Sequence, residues 1–491
     1  MRNVTTIPGI LLLFIEVLAV AVLAVVSSHL FGMADGARVT LAYLVAYLVP
    51  RAVLKRARGT SQGAHVVLLL LAVFLSWVAL DCLQAWSAPE GYSLQRPFID
   101  GDAHQYYLWA LYHYDGSVEE SPTVFPGFPL VMLGLWKVLG LSVIWPQALN
   151  MMCTLTSVVL IGMTTRRLLA HRVKVSHQAL LLTGMVLTCL LQFYLMSGIS
   201  ILKEGIVFLS VSMAGFALAS MATSDEERHR PWRDIATFVA ACVIMAFIRT
   251  TFLYVLLLGV LVMALPHWRR DWMVALFFAV IIVVLMVVGN HFASYSFNRH
   301  AEIVGGGWNM QRIYFKNPIY KRLIGYYFLY STWHKVALLP LTMSLQFFLP
   351  FPWFTDYETP VLLNILCHAS YGWYFIGGIV LFYFLFMSWR RDGNMGAWPW
   401  WSLLYLVALA YIMAGSMSRY VLPIQILMVP VAAYVLCRLY EGHLRRQFVV
   451  YFLVFALLVA AALLVCLELH TGALSSRFDL PFLADYLPVG I

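Results

Sequence analysis

Apolar runs of about 20 residues, each long enough to cross roughly 30 Å of hydrocarbon as a helix, recur along the whole chain. Short basic stretches punctuate them at 51–58, 166–174, 228–233, 269–270, 390–391 and 438–446. Arg and Lys gather on the cytoplasmic side of membrane proteins, and one threading puts every one of these stretches there. The pattern predicts helices near 7–28, 38–54, 64–86, 146–166, 177–196, 204–222, 234–249, 251–267, 272–290, 364–388, 399–416, 420–438 and 447–468, alternating in direction. The N-terminus is then inside and the C-terminus outside. The first run reads as a retained helix, because only Arg2 precedes it and no small-residue cleavage site follows.

This threading leaves two long segments outside, roughly 87–145 and 291–363. Long loops in membrane proteins serve function or contacts. Each carries a short apolar stretch, 130–141 and 337–354, read as an interfacial or re-entrant helix. The expected fold is an all-α polytopic membrane protein of about 13 transmembrane helices in a single integral membrane domain. No internal repeat is visible, which counts against transporters built from two related halves.

Composition agrees. Of 491 residues, 62% are hydrophobic and 11% charged, and the mean hydropathy is +0.82, so the bilayer is the solvent. A net charge of +9 would suit nucleic acid, but the basic residues sit at helix ends and in one long loop, where orientation and anionic lipid head groups explain them. No nucleic-acid partner is expected. The seven cysteines lie mostly in apolar runs without a C-x-x-C pair, against a disulfide framework or zinc site.

Chemistry concentrates where the first long loop reads Phe98-Ile99-Asp100-Gly101-Asp102-Ala103-His104-Gln105-Tyr106. Two carboxylates one residue apart at a membrane surface suit a general base or a metal ligand. The same pair suits a simpler role, capping a helix that starts near Ala103. A divalent cation is therefore the one cofactor the pattern admits. His104 stands two residues after Asp102; His113, His291, His300, His334 and His368 show no ligand spacing and read as interfacial or packing residues. Lys203 and Glu204 flank a helix junction, as an interfacial ion pair or as functional charges. Arg249 lies between two spans, for phosphate or head-group contact, and Arg419 precedes a helix whose Pro423 removes a backbone donor. Glu16 and Asp81 are acids within spans. In the second long segment Arg299, Arg312, Lys316, Lys321, Arg322 and Lys335 lie outside against the positive-inside rule. The planar forks of the arginines suit phosphate, while Trp308, Tyr314, Phe315 and Tyr320 suit sugar or prenyl contacts; a head-group-binding face is the plainer alternative. Gly305 to Gly307 read as a hinge.

The order D-x-x-x-Y-x-x-x-A from Asp102 through Tyr106 to Ala110, then Tyr112 to Gly116 and Phe125-Pro126-Gly127-Phe128-Pro129-Leu130, resembles the first external loop of GT-C glycosyltransferases, most of all family 39. The resemblance continues in order through Arg166-Arg167, Ser200 to Gly205, Ile248-Arg249-Thr250-Thr251 and Ser418-Arg419-Tyr420-Val421-Leu422-Pro423. It implies a GT-C-like bundle in the plasma membrane with its active site on the extracytoplasmic side. It also implies transfer of a sugar from a polyprenyl-phosphate-linked donor to a glycan, lipid or protein acceptor, by inversion. Asp102 would correspond to the family's catalytic base, with Asp100, His104, Tyr106, Lys203, Glu204, Arg249 and Arg419 around it and the second loop's Arg299, Arg312 and Arg322 on the donor. The sequence departs from the family at Ala103, where a Glu usually stands. Two other readings remain open: a polysaccharide repeat-unit polymerase or ligase working from the later loop, and a lipid or solute transporter.

Overall fold

The structure, a computed structural model, describes residues 9–56, 63–87, 102–120, 126–191, 201–223, 231–249, 252–264, 332–348, 372–390, 395–412 and 418–471. About 89% of what is described is helical, and none of it is strand. In chain order the helices are α1 (Gly9–Phe31), α2 (Met33–Arg56), α3 (Gly63–Ser87), α4 (Asp102–Asp115), α5 (Gly127–Leu139), α6 (Ile144–Leu169), α7 (His177–Cys189) and α8 (Glu204–Ala222). They continue as α9 (Pro231–Arg249), α10 (Leu253–Ala264), α11 (Thr332–Phe348), α12 (Gly372–Met387), α13 (Trp398–Ile412), α14 (Ser418–Tyr440) and α15 (Arg445–Thr471). Among the described residues α1, α2, α6, α8 and α9 are long and apolar enough to cross a membrane. The chain is an all-α membrane protein.

α6 is the centre of the bundle, with α2, α7, α8 and α14 packed around it. Four of its hydroxyl side chains do not need partners from those neighbours. Thr154, Thr156, Ser157 and Thr164 each donate to the carbonyl four residues back, so their hydroxyls are satisfied inside the helix. Small residues let α6 and α7 touch backbone to backbone: a Cβ on Gly184 would stand 2.8 Å from the Gly162 Cα and 2.6 Å from the Thr165 hydroxyl. On the lipid side the helices show bare apolar surface, as at Ile10, Leu13, Phe14 and Val17 of α1. The acid within that span is neutralised: Glu16 accepts from Arg51 Nε at 2.8 Å and from the Tyr47 hydroxyl. That arrangement gives Glu16 a local structural role.

Basic stretches distant in sequence meet at one end of the bundle. Arg167 donates to Ser220 and lies 4.6 Å over the Phe216 ring, tying the end of α6 to the end of α8. Glu441, paired with Arg438 at 3.1 Å, accepts the backbone N–H of Lys174. His65 near the start of α3 reaches the carbonyl of Gln178 near the start of α7 at 3.3 Å. Stretches 166–174 and 438–446 therefore share an end, as the charge pattern requires. The opposite end holds α4, α5, the beginning of α6 and α8, and the end of α9.

Several bounds differ from the sequence reading. α7 leaves helical geometry after Cys189, not 196, and the start of α12 presses on it: a Cβ on Gly372 would strike the Leu190 carbonyl. α10 is described over Leu253–Ala264, inside the expected 251–267, whose residues 251 and 265–267 lie outside the described set. Of the interfacial or re-entrant helix expected at 337–354, the part to Phe348 is helical: α11 begins at Thr332 and runs through Pro340 against α13, while 349–354 lie outside the described residues. Pro340 has no N–H to donate, and a helix packed on a neighbour can accommodate that loss. α5 corresponds to the stretch expected at 130–141, starting three residues earlier. The expected helix at 272–290 and most of 291–363 lie outside the described residues.

Two outcomes test this architecture. Gly184→Val drives a branched side chain into the α6–α7 contact and is expected to cost about 1–3 kcal/mol, read as a lowered melting temperature in detergent. Cysteines introduced at Asp115 and Lys174 are expected to label from opposite sides of the membrane; labelling of both by one impermeant reagent applied to one side refutes the threading.

Candidate functional site

The site begins with Asp102, the first residue of α4. Its backbone opens the first turn of α4, whose N–H groups have no partner within the helix, and its side chain lies outside the described set. Four residues later, one turn on, Tyr106 falls on the same side of the helix. The buried face of α4, with Ala103, Tyr106, Tyr107 and Ala110, packs on α5. Tyr106 meets Phe128 edge to face at 5.9 Å, and Tyr107 meets Trp136 at 5.5 Å. α4 is thus held firmly against the bundle. His104 is exposed, and two residues of helix turn it about 200° from Asp102. The structure separates His104 from the stripe that Asp102 begins.

The second component is the turn 201–204, which α6 holds in place. Asn150, fully buried, donates its Nδ2 to the Leu202 carbonyl. Beside it Gly205 lies so close to α6 that a Cβ would stand 2.7 Å from the Asn150 carbonyl oxygen. Only glycine permits that approach without shifting one helix. Lys203 then caps α8, and its ammonium lies 5.2 Å from the centroid of the Tyr106 ring, within cation–π range.

Glu204 follows, the first residue of α8, and its partner is Arg249 at the end of α9, 3.1 Å away. The two side chains are 3% and 6% exposed, so the pair lies out of contact with bulk water. The Arg249 guanidinium also stacks over Phe252 at 4.5 Å, where the chain breaks between α9 and α10 as the sequence suggests. Arg249 is accordingly a buried, paired cation and not a surface anchor for head groups. A buried pair of this kind is held by geometry, because each charge removed from water relies on the other.

Residues 102–106, 203–205, Arg249 and Phe252, together with Asn150, therefore converge at the end of the bundle opposite the basic stretches. Sequence reasoning singles out Asp102, Tyr106, Lys203, Glu204 and Arg249, and misses Asn150 and Phe252. The signal for Asn150 is a carboxamide within a predicted span, one turn after Gln147. Arg419 is the second residue of α14, with a side chain outside the described set, and Asp100, Arg299, Arg312 and Arg322 also lie outside it. The same holds for the side chain of Asp81 in α3. Among the described residues no group of three or more His, Cys, Asp or Glu is placed to hold a metal ion, and Cys153, Cys189, Cys242 and Cys437 are free thiols.

Removing one member of the buried pair leaves the other uncompensated. Glu204→Gln or Arg249→Met is expected to cost about 3–5 kcal/mol, and the double variant to recover much of that loss; a thermal-melt double-mutant cycle measures it, and additive losses refute the coupling. No family model, no curated protein and no solved structure matches this chain, so the reading of the site rests on these residues and their geometry.

Proposed function

We propose that this protein is a GT-C-type membrane glycosyltransferase that moves a sugar from a polyprenyl-phosphate-linked donor to an envelope acceptor on the extracytoplasmic side. The observation that carries the proposal is the convergence of an aspartate-led helix with a lysine from a separate helix junction. Lys203 lies over Tyr106, one turn from Asp102. Inverting transfer needs both kinds of group. The acceptor hydroxyl has too high a pKa to attack unaided, so a carboxylate takes its proton as the bond to the anomeric carbon forms. The carrier phosphate leaves as an anion and needs a positive charge that is already in place.

In this proposal Asp102 is the base and Lys203 faces the departing phosphate. Arg249, paired with Glu204 and stacked on Phe252, holds from behind the turn that presents Lys203. The Ala103 departure from the family pattern leaves Asp100 as the carboxylate that would join Asp102 on a divalent cation, if the reaction uses one. Arg299, Arg312 and Arg322 of the long basic segment and Arg419 at the start of α14 complete the donor side. The apolar helices hold the prenyl chain, which is as hydrophobic as the lipid it leaves.

Asp102→Asn is expected to lower transfer by about 10²–10⁴ while donor binding is retained, since the amide keeps the shape and loses the base; turnover of purified protein with radiolabelled prenyl-phosphate sugars measures it. Asp100→Asn is expected to be milder. Lys203→Gln and Arg312→Gln are expected to weaken donor binding, with Arg312→Lys restoring part of it. Uniform, small and salt-sensitive effects at every basic position would refute a phosphate role and point to head-group anchoring.

A further inference from the structure

The stripe that Asp102 begins continues past Tyr106. At about 100° per residue, positions 102, 106, 109 and 113 fall within roughly 60° of one another, along the border between the buried and exposed faces of α4. At its far end Trp109 and His113 stack with ring centroids 3.6 Å apart and planes 18° apart. Both are half-buried, so the pair is packed on the bundle on one side and open on another.

The polar atoms of the pair are informative. His113 Nδ1 lies 2.8 Å from the Trp109 carbonyl. A carbonyl only accepts, so Nδ1 carries the proton and Nε2 becomes the acceptor of the neutral ring. Three fully buried tryptophans, Trp136, Trp398 and Trp401, give their indole N–H to the carbonyls of Ser142, Leu427 and Val255, each at 2.8 Å, whereas the Trp145 N–H is buried without a partner among the described residues. Among the described residues neither the Trp109 indole N–H nor His113 Nε2 is used in this way. A rigid aromatic surface with one donor and one acceptor at its edges matches a pyranose, which presents apolar C–H faces and a rim of hydroxyls. A prenyl chain would cover the rings but leave both polar atoms without partners.

We propose that the Trp109–His113 stack is a saccharide subsite that holds a sugar unit of the acceptor. This rests on Asp102 being the base. Trp109 lies seven residues along α4 from Asp102, about 10 Å of helix, which is one sugar unit or more from the reacting hydroxyl. The acceptor is then a glycan of at least two units, with its terminal hydroxyl at Asp102 and a preceding ring on the stack.

The test uses the full-length protein in nanodiscs with three soluble probes, linear trisaccharides of N-acetylglucosamine, mannose and rhamnose, followed by saturation-transfer NMR and titration. At least one probe is expected to bind the wild type at millimolar concentration. Trp109→Leu is expected to weaken that binding about tenfold, equivalent to about 1.4 kcal/mol, and His113→Phe, which keeps a ring and loses the acceptor, by a smaller factor. Thermal melts establish that each variant is folded. Binding of none of the probes overturns the proposal, as does equal binding by wild type and Trp109→Leu, or Trp109-dependent binding of polyprenyl phosphate in place of the sugars. Asp102→Asn separates this inference from the reading beneath it. That variant is expected to bind the trisaccharide normally and fail in transfer. Full transfer by Asp102→Asn sinks the base assignment while the stack stands as a sugar site. Unchanged binding in Trp109→Leu sinks the stack while the base stands.

Discussion

The buried contact between Glu204 and Arg249 is the constraint on which the site depends. Each charge costs several kcal/mol to bring out of water, and neither helix end would remain at its depth without the other. The pair fixes the beginning of α8 against the end of α9, and with them the turn that presents Lys203. Asn150 holds the same turn from the α6 side, and Gly205 sets how close it comes. Ionic and steric constraints from three helices thus determine where one ammonium group stands relative to α4. The lysine needs that support because a flexible four-carbon side chain has no preferred position of its own.

Aromatic packing performs the equivalent task for α4. A helix of this length, outside the long spans, cannot be stable alone in water or at an interface. Edge-to-face contacts from Tyr106 and Tyr107 to α5 hold it, and Trp136 is fixed in turn by its bond to the Ser142 carbonyl. The backbone of Asp102 is therefore attached to a rigid element and not to a loop, which is the arrangement a positioned base requires.

Much of this architecture was readable from the chain. α8 was expected at 204–222, where it lies, because an uninterrupted apolar run is bounded by a charge on one side and small polar residues on the other. The i, i+4 spacing of Asp102 and Tyr106 likewise announces a shared helix face. What hydropathy does not record is pairing. Nothing in the local sequence ties Glu204 to Arg249, 45 residues away, and the adjacent Lys203 is the more obvious partner. The end of α7 at Cys189 was hidden for a similar reason: Leu190 and Leu191 stay apolar, and only the tertiary contact at Leu190 marks the place.

The bond between Lys174 and Glu441 joins residues 267 apart in the chain, and α14 fills a side of α6 that is synthesised much earlier. During biogenesis, α6 must remain in the bilayer with that side open until the ribosome has produced nearly the whole protein. Its hydroxyls make the delay tolerable, because Thr154, Ser157 and Thr164 are satisfied by their own backbone and expose no demanding polar group to lipid. A helix centred in the mature bundle is thus chemically suited to spend the tens of seconds that synthesis of the rest takes at the edge of an unfinished one.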